Sequence, residues 1–227
     1  MRGAETQTGQ MTGAEMLPGA GILQSESFMF RLALVRHGKT PGNTRGRYIG
    51  TTDESLCGEG RKELEERLKK GVYPEAELIF SSPMKRCLET AGILWPGQQP
   101  AVIPGFRECD FGLFENKNYQ ELNGDPAYQA WIDSNGTLPF PGGESREEAA
   151  RRAVEAFRQM AAVCRNHRIR QAALVAHGGT IMSLMEQFAV PRRDYYDWQV
   201  KNGCGFITEV KIEYETITMR VDTGISP

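Results

Sequence analysis

From Phe28 onward the chain alternates short apolar runs with polar, glycine-bearing loops, and the period of the runs switches repeatedly between strand and helix. FMFRLALV is an apolar run of strand length that ends directly in Arg36-His37-Gly38, which places His37 at the carboxyl end of a strand. After the polar loop GNTRGRYIGTTDESLCGEG, the segment EGRKELEERLKK predicts a solvated helix with Leu64 and Leu68 on its inner face. ELIFSS predicts a second strand. Ser82 before Pro83 reads as the cap of the helix PMKRCLETAGILW, with Arg86 in or near its first turn. AVIP, residues 101–104, predicts a short third strand.

Residues 105–143 mix Gly, Pro, Asn and aromatics and read as an irregular insertion. A long helix then begins at Ser145, where Ser145 and Glu148 have the spacing of a capping box. Ala150, Ala153, Phe157, Met160 or Ala161, and Cys164 recur on one face of it. AALVAHGGT repeats the opening theme of apolar run, histidine and glycine, and leads into the helix TIMSLMEQF. GFITEVKIEY and TITMRV predict a closing hairpin. Strands alternating with helices predict an α/β fold: a three-layer α/β/α sandwich on a mostly parallel sheet with an antiparallel edge. The domain spans 28–227, with a lid insertion at about 105–143. Residues 1–27 are rich in Gly, Thr, Gln and Glu, lack the apolar stretch of a secretory signal, and read as a flexible extension.

Composition narrows the function. A formal net charge of −2 gives no basic excess with which to track nucleic acid. No apolar run reaches membrane-spanning length. Five cysteines with no C-x-x-C spacing suit reduced thiols in a cytoplasmic protein, and three histidines do not make a multi-histidine metal centre. No cofactor is expected, and both monomer and homodimer stay open.

In open α/β sheets ligands bind beyond the carboxyl ends of the strands, where His37, Arg86 and His177 all fall. Arginines beside histidines at such an edge make an oxyanion pocket. Arg36 and Arg86 offer forked donors to phosphoryl oxygens, and one histidine is available as nucleophile on phosphorus. A proton-transfer carboxylate is supplied by FRECDFGLFE as Glu108, Asp110 or Glu115. An arginine next to His37 disfavours its protonation, which suits a neutral imidazole that must meet an anion.

RHGKT with Asn43, the loop GRYIGTTDESLCGEG, SSPMKRCLETA, RECDFGLFE and VAHGG occur in an order that resembles the histidine phosphatase superfamily, the phosphoglycerate-mutase-like fold. The resemblance implies that His37 is the nucleophile, that Arg36, Arg86 and His177 complete the phosphate pocket, and that Glu108 is the general acid. It adds Asn43, Thr40 and Gly178 as contacts to the transferred group, and implies no metal. Lys39 stands where the phosphatase branch of this family usually has glutamate, Cys57 where threonine is common and Ser55 where proline is.

Trp131 is followed by Ile132 and Asp133 rather than by the arginine pair of phosphoglycerate mutases, which demotes the mutase reading. The loop around Phe111, Phe114, Tyr119, Tyr128 and Trp131 resembles the branch that includes α-ribazole phosphatases. The expected activity is therefore that of a metal-independent phosphomonoesterase of the histidine acid type. Its expected partner is a small phosphorylated metabolite, best matched by α-ribazole 5′-phosphate. The alternatives are a mutase or sugar-phosphate phosphatase of the same fold, or a phospho-ligand module without turnover.

Overall fold

The computed structural model describes residues 27–226, so the expected extension, apart from Ser27, lies outside the described residues. In chain order the elements are β1 (Phe28–Arg36), α1 (Pro41–Thr44), α2 (Gly58–Lys69), β2 (Leu78–Ser81), α3 (Lys85–Leu94), β3 (Ala101–Val102), α4 (Pro126–Asp133), α5 (Arg146–Asn166), β4 (Gln171–Ala176), α6 (Gly178–Phe188), β5 (Gly205–Glu213) and β6 (Thr216–Ile225). The strands form one sheet in the order β3-β2-β4-β1-β5-β6. β3, β2, β4 and β1 run parallel to their neighbours, while the β5–β6 hairpin adds the antiparallel edge beside β1.

Alternation along the central strands builds the three layers, because successive side chains leave opposite faces of a sheet. Phe28, Phe30, Leu32 and Leu34 of β1, with Ala172, Leu174 and Ala176 of β4, face a core shared with Phe157, Met160, Ile181 and Leu184 of α5 and α6. Ala33 and Val35 of β1, with Ala173 and Val175 of β4, face a second core that includes Leu64 of α2 and Cys87, Ala91 and Leu94 of α3. Both faces are covered, so these strands read as apolar runs rather than as alternating ones.

Register places the functional ends. Arg36 of β1 pairs with Ala176 of β4, and Ser81 of β2 pairs with Val175. The next residue along each strand therefore lies at the same edge of the sheet: His37, His177 and Ser82. The His37 amide donates to the Ala176 carbonyl at 3.0 Å, which fixes that juxtaposition.

Three local features differ from expectation. Helix α3 starts two residues later than Ser82 implies, with Met84 at the cap position; the Ser82 hydroxyl accepts from the Met84 amide only at 3.4 Å and is held by His177 at 2.7 Å. The insertion is also more ordered than its composition implies. It holds two 3-10 turns, Pro104–Phe106 and Gly112–Phe114, and helix α4, started by an Asp125 cap and Pro126. Its aromatics pack on one another: Phe114, Leu122 and Phe140 form a small core with Tyr48, Tyr128 and Trp131 against it. Finally, residues 41–44 form a short helix in which Thr40 and Asn43 make a reciprocal capping box. No helix among the described residues is long and apolar enough to cross a membrane.

The capping box expected at α5 is present, with the Ser145 hydroxyl accepting from the Glu148 amide at 3.1 Å and the Glu148 carboxylate accepting from the Ser145 amide at 2.8 Å. Ser145→Ala removes the hydroxyl and leaves one first-turn amide without its acceptor. We expect a loss of about 1 kcal/mol, seen in thermal melts as a fall in Tm of about 2–4 °C for a domain of this size.

Candidate active site

A cavity of about 290 Å³ opens beyond the carboxyl ends of β1 and β4. Arg36, His37 and Asn43 line it from the β1 side, Gly178 and Gly179 from the first turn of α6, and Glu108 from the insertion. His37 is buried, and its Nδ1 lies 2.7 Å from the Gly38 carbonyl. A carbonyl only accepts, so Nδ1 carries the proton and Nε2 keeps its lone pair for the cavity. Burial, reinforced by the charges of Arg86 and Arg36, holds His37 well below the usual histidine range. The arginine beside the histidine thus favours the neutral ring.

His177 and Arg86 stand behind this wall rather than on it. Both are fully buried and neither lines the cavity. The His37 and His177 rings meet edge to face with centroids 5.2 Å apart. Arg86 Nε donates to His177 Nδ1 at 3.3 Å, so the proton of His177 is on Nε2, which donates to Ser82 Oγ at 2.7 Å. Burial and the Arg86 charge keep His177 neutral as well. The remaining nitrogens of Arg86 reach backbone carbonyls of Thr52, Ile49 and Gly50. That loop is held from its other side by Glu115, whose Oε1 accepts from the amides of Gly50 and Thr52.

The three carboxylates proposed for proton transfer are now distinguished. Glu115 anchors the loop, Asp110 accepts from the Gly112 amide within its own turn, and of the three only Glu108 lines the cavity. Burial pushes the Glu108 carboxyl above its usual range, against the opposing pull of the Cys109 amide and of Arg86 and Arg36. A Cβ on Gly179 would lie 2.7 Å from Glu108 Oε1, so glycine is needed here for the acid to approach the start of α6.

Thr40 does not line the cavity. Its hydroxyl caps α1 and so fixes Asn43, whose Oδ1 accepts from the Thr40 and Asn202 nitrogens and leaves Nδ2 as a donor on the wall. Arg36 Nη1 donates to the Val200 carbonyl, while its Nε is buried without a partner among the described residues. An unsatisfied guanidinium N–H beside a cavity is a ready anion donor. Lys39 turns away to Glu59 and Glu63 of α2, 2.6 Å from each, so it adds no cation to the pocket. Cys57 keeps the capping role of its position, its Sγ accepting from the Gly60 amide.

Several wall and support residues carry no signal at a strand end. Asn202 clamps the loop after β1 through Nδ2 to the His37 carbonyl and Asn43. Its Asn-Gly sequence was a turn signal without a visible target. Arg152 of α5 donates to the carbonyls of Gly105, Arg107 and Glu108 and pairs with Glu144, fixing the segment that presents Glu108. Arg146, Tyr195, Tyr196 and Gln199 complete the rim. Among the described residues no group of three His, Cys, Asp or Glu side chains is placed to hold a metal ion.

The cavity at the carboxyl edge of this α/β sheet thus has a neutral histidine, an arginine and a buried carboxyl on its wall. The model of the histidine phosphatase superfamily (branch 1) matches residues 32–223, and the chain belongs to that family. It is 31% identical to a metal-independent phosphoserine phosphatase of Arabidopsis thaliana over 168 residues, covering 70% of this chain and 68% of that one. It is 27% identical to the adenosylcobalamin/alpha-ribazole phosphatase of Escherichia coli K12, covering 82% of this chain and 93% of that one. The crystal structure of an Entamoeba histolytica phosphoserine phosphatase with 3-phosphoglyceric acid shares the fold at a TM-score of 0.70 and 24% identity, covering 87% of this chain and 98% of that one.

The shifts set the sign of the pH response. For a reaction that uses His37 as nucleophile and Glu108 as acid, the ring must be neutral and its depressed pKa keeps it so below pH 6.5, while the carboxyl must be protonated and its raised pKa keeps it so above pH 4.5. The profile of kcat/KM is expected to be bell-shaped, with the acid limb below 6.5 and an alkaline limb that Glu108→Gln removes. A steady-state pH series on both proteins checks this.

Proposed function

We propose that this protein is a metal-independent phosphomonoesterase that acts on a small phosphorylated metabolite through a phosphohistidine on His37. The observation that carries the reading is the neutral His37, tied through Nδ1 to the Gly38 carbonyl with Nε2 on the wall of a cavity shared with Glu108. His37 Nε2 attacks phosphorus while Glu108 gives its proton to the departing alcohol oxygen. Arg36, the Asn43 amide and the start of α6 receive the negative oxygens as they rearrange. Arg86 adds its charge from behind. In the second half, the Glu108 carboxylate takes a proton from water, the water oxygen bonds to phosphorus, and the P–N bond breaks to return neutral His37 and inorganic phosphate. Binding without turnover is disfavoured because nucleophile and acid share one cavity.

Two readings of the substrate rest on different parts of the wall. Tyr48, Phe111, Trp131 and Phe140 favour an ester with a flat base and ribose such as α-ribazole 5′-phosphate, in keeping with the name of the Escherichia coli relative. Arginines at the rim favour the phosphate ester of an acid, in keeping with the name of the Arabidopsis relative. The mutase alternative has less support, because Ile132 and Asp133 are exposed and do not line the cavity.

Phosphate release in EDTA from α-ribazole 5′-phosphate, O-phosphoserine, 3-phosphoglycerate and an aryl phosphate tests the class. Turnover of at least one ester by the wild type, and none by a folded His37→Ala variant, is expected. Activity retained by that variant would overturn the mechanism. A second measurement tests the acid: Glu108→Gln should slow alkyl esters about 10²–10⁴-fold and an activated aryl ester much less, since only a poor leaving oxygen needs the proton.

A further inference from the structure

Most cations on the cavity wall already have a carboxylate or carbonyl partner. Arg47 is bonded to Asn116 and Glu121, Arg107 to Glu144, and Arg36 to the Val200 carbonyl. Arg146 differs. It is half-buried, lines the cavity, and has neither a carboxylate nor a carbonyl partner among the described residues. Its guanidinium instead lies over the Tyr195 ring, 5.0 Å from the centroid. As the first residue of α5 it follows the Ser145 cap, so its backbone is fixed by the capping box. Stacking on a ring covers one face of the guanidinium and leaves the N–H edge available, the geometry that takes a planar carboxylate through two parallel bonds.

Tyr195 also locates this cation relative to the chemistry. The point a Cβ on Gly179 would occupy is 2.7 Å from Glu108 Oε1 and 3.5 Å from the Tyr195 hydroxyl, so the ring that carries Arg146 extends to the acid. In the proposed reaction Glu108 protonates the leaving oxygen, and the alcohol half of the ester therefore lies on this side. Glu108 does not neutralise Arg146 in advance, because burial favours its protonated form.

Resting on the phosphatase reading, we infer that Arg146, held on the Tyr195 ring, is a subsite for a carboxylate on the alcohol half of the substrate, so that the preferred substrates are phosphate esters of hydroxy acids. Arg146 is on this account a specificity residue and takes no part in proton transfer.

O-Phosphoserine and O-phosphoethanolamine differ only in the carboxylate and isolate the subsite. We expect wild-type kcat/KM to favour phosphoserine by about 10- to 100-fold, the range of one charge-assisted bidentate contact. In Arg146→Gln that ratio should fall towards one, chiefly through KM. Arg146→Lys should fall between, since an ammonium keeps the charge and loses the fork. Calorimetric binding of the same two esters to His37→Ala, with and without Arg146→Gln, reads the same preference without turnover. Absence of a wild-type preference, a preference that survives Arg146→Gln, or an equal loss for both esters in a folded variant would each overturn the subsite. If neither ester turns over but His37→Ala shows an Arg146-dependent preference in Kd, the subsite stands and the phosphatase reading falls.

Discussion

A guanidinium with no exposed surface holds this site together. Arg86 is a permanent charge taken fully out of water, a placement that is costly unless its N–H groups find partners. It finds them on three carbonyls of the loop at 49–52 and on His177. The same bonds dictate the tautomer of His177, whose remaining proton must then go to Ser82. Glu115 closes the loop from outside, and the two histidine rings press together in the space that is left. Removing any one of these partners would strand a buried polar group, so the loop, the second histidine and the end of β2 are placed as a unit.

How much of this could be read in advance follows from where each constraint lies. The strands and their order of function were legible because β1 and β4 are buried on both faces and end directly in a histidine. The helix after Ser145 was legible because its cap is local. Ser82 misled for the same reason: its sequence context is that of a cap, while its hydroxyl answers to a histidine 95 residues away. The family resemblance, now matched over residues 32–223, ranked Glu108 above Asp110 and Glu115 where chemistry alone did not. Arg152, Asn202 and Tyr195 were invisible because each acts on a segment distant in sequence, and an arginine inside an amphipathic helix reads as a solvated charge until its targets are known.

The placement of Arg86 and His177 behind the cavity wall also changes how the pocket works electrostatically. Around the proposed phosphoryl position the direct donors are few: Arg36, the Asn43 amide and the first turn of α6. The charge behind them acts through low-dielectric packing, where its influence on a neighbouring imidazole is larger than it would be in water. This holds the His37 ring neutral although the Arg86 guanidinium does not line the cavity.

The aromatic packing of the insertion has a consequence for how such a protein changes over time. Phe114, Leu122 and Phe140, with Tyr128 and Trp131 against them, give the insertion a hydrophobic centre of its own. The reactive half, meanwhile, is fixed by sheet register and by Asn202. Glu108 belongs to the insertion as well, and Cys109 beside it packs in the same centre, so the two halves meet at that carboxyl. Rim positions away from Glu108 can vary without touching the strand ends that carry His37 and His177, which makes this architecture a scaffold on which new selectivity evolves by small steps.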